Sequence, residues 1–340
     1  MFIFFSRSIF VLFAFYVILI LVICFSLKNN LGINHSVIID EYKDDSSVIS
    51  EFNQVDYYSK KNDKPYIYLN ARTLLMNHTD NLLNIQLPSG NTFSNDNTPV
   101  SYQANSGMLN LSSKDLTLIG DVIVWDNLSE LKSDKLIYIQ NKDLAIFEGN
   151  IRSHSVSEKS GDQIFINALK AFAWPSKKEG EYVGHVTGEI IRAKRYEPGI
   201  NFRTDQLKAY LNKSYIELNN NVYIKRDNME AFAMKGEIFL ENYNKKLKYY
   251  VLFDDVKVVQ HLLSKELLDP QKPDGPKKPN DRIAYSEKLE GFAKEAKIVL
   301  TGYPKVIHEQ DVVKGNKITF FENTEMIEVD DSTSSFIISK

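Results

Sequence analysis

At 340 residues the chain is long enough for one large domain or two ordinary ones. Charged residues make up 25% of it and the net charge is only −3, so no global basic field points to nucleic acid or anionic lipid. A single cysteine excludes an internal disulfide framework and a cysteine-based zinc site, while 18 Tyr and 20 Phe lean the chain towards strands.

The amino-terminal segment differs in kind from the rest. Residues 9–27 are apolar apart from Ser26, with Arg7 before the run and Lys28 after it. Such a length spans a bilayer as one helix. A cleaved signal peptide is the competing reading, but no small-x-small site follows. Cys24 raises the idea of a lipoprotein, against which Ile23 stands where a small residue would be expected. The expectation is an uncleaved anchor over residues 1–28, amino terminus inside. Residues 29–64 are polar and read as a juxtamembrane stalk, part of which could pair as an edge strand.

Beyond the stalk, residues 66–74 and 82–87 read as strands, the second ended by the turn signal Pro88-Ser89-Gly90. Residues 100–111 add a pair of runs kinked at Ser106-Gly107. Residues 116–151 then read as three amphipathic strands. Leu116, Leu118, Val122 and Val124 share one parity, Leu136 and Tyr138 follow, and Ala145, Phe147 and Ile151 close the set.

One marker recurs along this part of the chain: an apolar strand, then Gly, Asn or Asp with a second small polar or acidic residue, then Val or Ile. It reads Gly120-Asp121-Val122, Gly149-Asn150-Ile151, Gly188-Glu189-Ile190, Asn220-Asn221-Val222, Asp254-Asp255-Val256 and, in altered form, Gly302-Tyr303-Pro304. Gly and Asn accept positive φ, so the marker lets a strand bend or bulge. A second phrase alternates with it, Lys132-Ser133-Asp134-Lys135-Leu136 answering to Arg203-Thr204-Asp205-Gln206-Leu207. Marker spacing of roughly 30 to 50 residues lies in the range of repeat architectures. Residues 269–279, with four prolines, read as an exposed loop. Residues 283–297 fit a helix or an irregular strand equally, and alternating strands close the chain.

No catalytic constellation emerges. The six histidines lack metal-ligand spacing, and there is no nucleophile elbow, phosphate loop or paired-cysteine site. Adjacent acids such as Asp254-Asp255 point to opposite faces of a strand and form no dyad within it. The functional element is therefore an apolar sheet face, which either closes as a dry core or shelters an apolar ligand.

The markers, the phrase Ser133-Asp134-Lys135-Leu136-Ile137-Tyr138 and the closing run Leu300-Thr301-Gly302-Tyr303-Pro304-Lys305-Val306, continued over residues 313–320, resemble the OstA/LptA/LptC group of lipopolysaccharide transport proteins. An anchor followed directly by a β domain resembles LptC, and the second half resembles the LptA repeat. The resemblance implies an all-β fold: an elongated twisted antiparallel β-jellyroll, an OstA-like open sandwich, preceded by one transmembrane helix. It implies an LptC-like jellyroll over residues 65–200 and an OstA/LptA-like one over 201–340, continuing the same sheet.

The implied role is non-enzymatic and needs no cofactor, with the bulk of the chain in the periplasm, anchored in the inner membrane. Lipopolysaccharide would arrive from an inner-membrane ABC transporter complex and leave to an LptA-like bridge protein joined by edge-strand addition. The lipid A acyl chains would meet Leu118, Val122, Val124, Leu136, Tyr138, Phe147, Ile151, Leu207, Leu218, Val222, Phe253, Ile318 and Phe320. A structural β-solenoid stalk or adhesin with a dry core is the alternative, and a carbohydrate-active β-helix enzyme a third reading that lacks its cluster of acids.

Overall fold

Alternating apolar and polar residues can bury one face only if neighbouring strands pair, and here they pair antiparallel throughout. The computed structural model describes residues 49–335 apart from 62–63, 78–80, 94–98, 114, 143, 159, 175–176, 211, 242–245, 262–280, 310 and 322–325. The expected anchor, the first part of the stalk and the proline-rich loop lie outside the described residues. Among the described residues no helix is long and apolar enough to cross a membrane. They form two compact units: an amino-terminal one, up to Glu158 with Ile166–Tyr182, and a carboxy-terminal one, Lys159–Phe165 with everything from Val183 onward.

The amino-terminal unit starts with β1 (Ile49–Lys61), so the later part of the polar stretch is a strand, paired with β2 (Lys64–Asn77). Four short strands follow: β3 (Leu82–Gln86), β4 (Ser89–Phe93), β5 (Pro99–Gln103) and β6 (Ser106–Asn110). Long strands β7 (Leu116–Trp125), β8 (Ser129–Ile139) and β9 (Leu144–Val156) come next. Long strands are shared between two layers. The end of β2 pairs with β3, β3 with β6, and β6 with the start of β7. The start of β2 pairs instead with β4, β4 with β5, and β5 with the end of β7. Ser89, read from the sequence as part of a turn, opens β4.

Strands β10 (Gln163–Trp174) and β11 (Glu179–Ile191) lead into β12 (Ile200–Tyr210), β13 (Tyr215–Arg226), β14 (Met229–Leu240), β15 (Leu247–His261) and β16 (Asp281–Phe292). The ambiguous segment from residue 283 is thus strand, not helix, as far as Phe292. Its apparent helical spacing mixes the two faces of β16, inward Leu289 with half-buried Ile283 and Phe292, and ends in the turn at residues 293–296. The division into two layers then recurs. The end of β16 pairs with β17 (Lys297–Thr301), its start with β18 (Lys305–His308). Strands β19 (Asp311–Lys314) and β22 (Thr333–Ser335) extend the layer of β18, while β20 (Lys317–Phe321) and β21 (Ile327–Asp330) extend that of β17. The expected antiparallel β-jellyroll is what the strands build.

The marker is what divides the long strands. Between Ile119 and Val122 three steps on β7 answer two on β8, and between Glu148 and Arg152 four steps on β9 answer three on β8. Strands β13 and β15 carry the same extra residue against β12, β14 and β16. Each of these bulges is absorbed by two consecutive left-handed residues, Gly120-Asp121, Gly149-Asn150, Asn220-Asn221 and Asp254-Asp255, and the same left-handed pair stands at Gly184-His185 and, between β17 and β18, at Gly302-Tyr303. Gly188, read as a marker, is not such a position. It lacks a Cβ because one would meet the Phe202 ring at 1.9 Å, and the left-handed pair of β11 lies four residues earlier, at Gly184-His185. The second recurring phrase is the other half of the same device. Asn150 donates to Asp134 at 2.8 Å and Asn221 to Asp205 at 2.7 Å, tying the bulge to the neighbouring strand.

Candidate functional site

Because two residues are spent at each bulge, inward parity continues on both sides of it. Leu118 and Val122 both face inward, at 1% and 0% exposure. The interior of the amino-terminal unit is built as rows across strands. Leu118, Leu136 and Phe147 are direct partners on β7, β8 and β9, and Leu116, Tyr138 and Ala145 form the next row. Val124 and Ile151 are buried with them.

The carboxy-terminal unit has a longer row. Leu207, Leu218, Gly236, Leu252, Leu289, Leu300 and Ile318 are successive partners from β12 to β20. All six aliphatic members are buried, and Gly236 makes room for Leu252, whose side chain an added Cβ would meet at 2.9 Å. Val222 and Phe320 are buried as well. Of the thirteen residues picked from the sequence, Phe253 alone is half-buried; the inward position on β15 is Leu252.

The two layers of the carboxy-terminal unit meet around a cavity of about 150 Å³. Ile224, Met229, Ala231 and Val258 line it from one layer and Tyr250 and Ile298 from the other, with Arg226, Asp227 and Asn228 at its rim. Sequence reasoning did not find it. The rim residues sit in a β13–β14 turn whose role depends on the layer opposite, and only Tyr250 packed over Gly291 gives a local hint. Ordinary ligand pockets run to about 300–1,000 Å³. This one is smaller, and the neighbouring row Leu252, Leu289 and Leu300 is fully buried.

Among the described residues the inward rows themselves are built of uncharged side chains. The buried tyrosines Tyr102 and Tyr182 have hydroxyls pushed up by burial. Among the described residues no group of three or more His, Cys, Asp or Glu could hold a metal ion.

One buried ion pair stands in the carboxy-terminal unit. Arg192 donates to Asp162 at 2.9 Å and the Ala193 N–H adds a bond at 3.0 Å, both side chains being nearly buried. Burial pushes the Asp162 carboxyl up, but the Ala193 N–H, the Arg192 guanidinium and Ser160 together hold it below the ordinary 3.8. A lowered carboxyl pKa stabilises the fold above the unfolded value, and that contribution is lost as pH falls through the folded value. Asp162→Asn is therefore expected to cost about 3 kcal/mol at pH 7. Denaturant titration should show the gap to the native chain narrowing below pH 4; an equal gap at pH 7 and pH 3 would contradict it.

These features define a two-layered antiparallel β-jellyroll with aliphatic inward rows and a small cavity between the layers of its carboxy-terminal unit. Residues 15–146 match the LptC family, described as lipopolysaccharide-assembly, LptC-related. Over that part of the chain the match agrees with the resemblance to the lipopolysaccharide-transport bridge proteins read from the sequence. Among solved structures the chain is similar to LptH of Pseudomonas aeruginosa, the LptA-homologous periplasmic component of a lipopolysaccharide transport device. The identity is 15%, over 42% of this chain and 98% of that one, with a TM-score of 0.34. No curated protein matches the chain.

Proposed function

We propose that the chain is a membrane-anchored periplasmic bridge that receives lipopolysaccharide from an inner-membrane ABC transporter and passes it towards the outer membrane. The observation that carries this reading is the buried row from Leu207 to Ile318, aliphatic but for Gly236, and the cavity beside Ala231 and Tyr250 is the mouth that this reading assigns to it. The LptC match over residues 15–146 supports it. Sheltering an acyl chain gains about 0.8 kcal/mol per buried CH₂. A row of equivalent leucines offers successive sites of similar affinity, so the lipid can advance without a deep trap. The sequence has no phosphate-binding glycine loop, and this reading assigns the work of extraction to the transporter.

With the rows closed, cargo enters by parting the layers at the mouth, and the bulges along the opposite side act as the line about which they part. Strand β1, paired with β2, and the short strands β21 and β22 suit edge-strand addition to an LptA-like partner. The closed interior is also what a dry structural core would show, so the two readings need an experiment. Ala231→Leu fills the mouth without adding charge. The proposal expects unchanged or raised thermal stability together with about fivefold weaker capture of fluorescent lipopolysaccharide, ~1 kcal/mol. Native-level capture by a well-folded variant would overturn entry past Ala231, and no capture by the native chain would favour the dry core.

A further inference from the structure

The balanced overall charge hides a one-sided surface on the carboxy-terminal unit. On the outer side of the layer that holds β18 and β19, cross-strand pairing sets Arg203, Tyr223, Phe232, Lys257, Tyr285, Lys305 and Lys314 in one row. Cations and rings interlock along it: Arg203 lies 5.2 Å from the Tyr223 ring, Lys257 5.8 Å from Phe232 and Lys305 5.3 Å from Tyr285. A parallel row two residues nearer the mouth continues as Val259, Ile283, Ile307 and Val312, all half-buried.

None of the four cations has an acid partner among the described residues. The acids on this face are engaged elsewhere, Glu230 with Lys225 at 3.0 Å and Asp281 with His261 at 2.9 Å. Glu287, the next acid along β16, stands at the bulge against Gly302. On the outer side of the other layer, by contrast, Lys288 pairs with Glu290 and Lys317 with Asp330, each at 2.9 Å. Lys305 and Lys314 are direct cross-strand partners, an arrangement that destabilises a sheet unless an anion is shared between them.

We propose that this face docks on an anionic bilayer surface. Lysines on a membrane-facing surface reach headgroup phosphates while their stems cover apolar ground, and tyrosine prefers the interface. The aliphatic row beside them supplies the apolar half of such a contact. Each cation near an anionic surface strengthens binding about fivefold, so removing two weakens docking by about twenty-five-fold. The proposal is independent of the lipopolysaccharide reading, since phospholipid alone suffices to test it.

The test uses the full chain, in a Cys24→Ser background, incorporated into vesicles of neutral phosphatidylcholine with or without phosphatidylglycerol. A fluorophore is attached at Tyr285→Cys, and in a control at Glu237→Cys on the other layer, with quencher lipids in the bilayer. The expected result is quenching at position 285 in anionic vesicles only, absent at 237 and abolished by high salt or by Lys305→Ser with Lys314→Ser. No quenching at 285, equal quenching in neutral vesicles, or quenching untouched by the double substitution would each overturn the proposal. Circular dichroism confirms that these exposed-face variants fold.

Discussion

Phe147→Ala is expected to lower folding stability by about 3–5 kcal/mol, among the largest effects of any single truncation in the chain. The ring is 1% exposed and stands at the end of the row Leu118–Leu136–Phe147, so its removal opens a cavity that neighbours on paired strands cannot collapse into. Register fixes those neighbours, since sliding one strand by a residue would turn its entire apolar set outward. Denaturant titration of the amino-terminal unit should show an earlier midpoint with little change in slope. Phe253→Ala provides the comparison. That ring is half-buried on the far side of β15 and should cost about 1 kcal/mol, near the centre of the range for point substitutions. Equal losses at both positions would mean that the inward rows are wrongly drawn.

Gly149→Ala is expected to cost about 2–4 kcal/mol from the backbone and the clash together. The residue has φ of +75°, and an added Cβ would lie 2.2 Å from the Asp134 carboxylate and 2.9 Å from the Asp134 Cβ. The two contributions separate experimentally. Asp134→Ala removes the carboxylate and its bond from Asn150, so the double variant should recover part of the loss, while the left-handed φ still penalises alanine. A double-mutant cycle by denaturant titration measures the shared part. Full additivity, with no recovery, would show that the close approach of these strands at the bulge does not govern the cost.

Much of this construction is legible in the sequence because a strand face repeats every two residues. Parity alone picks out Leu118, Leu136, Phe147, Leu218 and Ile318, all buried. What parity cannot carry is its own phase across a bulge. Aligning Phe253 with Phe147 by residue type puts the marker of β15 one position out. In β9 the inward residue stands two before the left-handed pair Gly149-Asn150, and the same count before Asp254-Asp255 lands on Leu252.

Gly188 misleads for a related reason. Its neighbours fit the marker pattern, yet its requirement is room for the Phe202 ring, a contact made by the tertiary fold. The second recurring phrase was visible but mute. Its meaning, an Asp that receives the Asn of the neighbouring bulge, depends on pairing strands 16 residues apart. The mouth cavity and the cationic face are assembled from residues scattered between 196 and 314, and no local pattern announces either.

The bridge reading places the lipid between the layers, behind a mouth that must open. Photo-crosslinking tests that most directly, with a photoreactive residue placed singly at Leu136, Phe147, Leu218 or Leu252 and, for comparison, at Phe253 on the other side of β15. In the full chain, supplied with lipopolysaccharide by its transporter and ATP, irradiation should give lipid adducts at the four inward positions and few at Phe253. Adducts absent from all four inward positions, while the transporter itself is labelled, would contradict the account and leave the interior as a dry core.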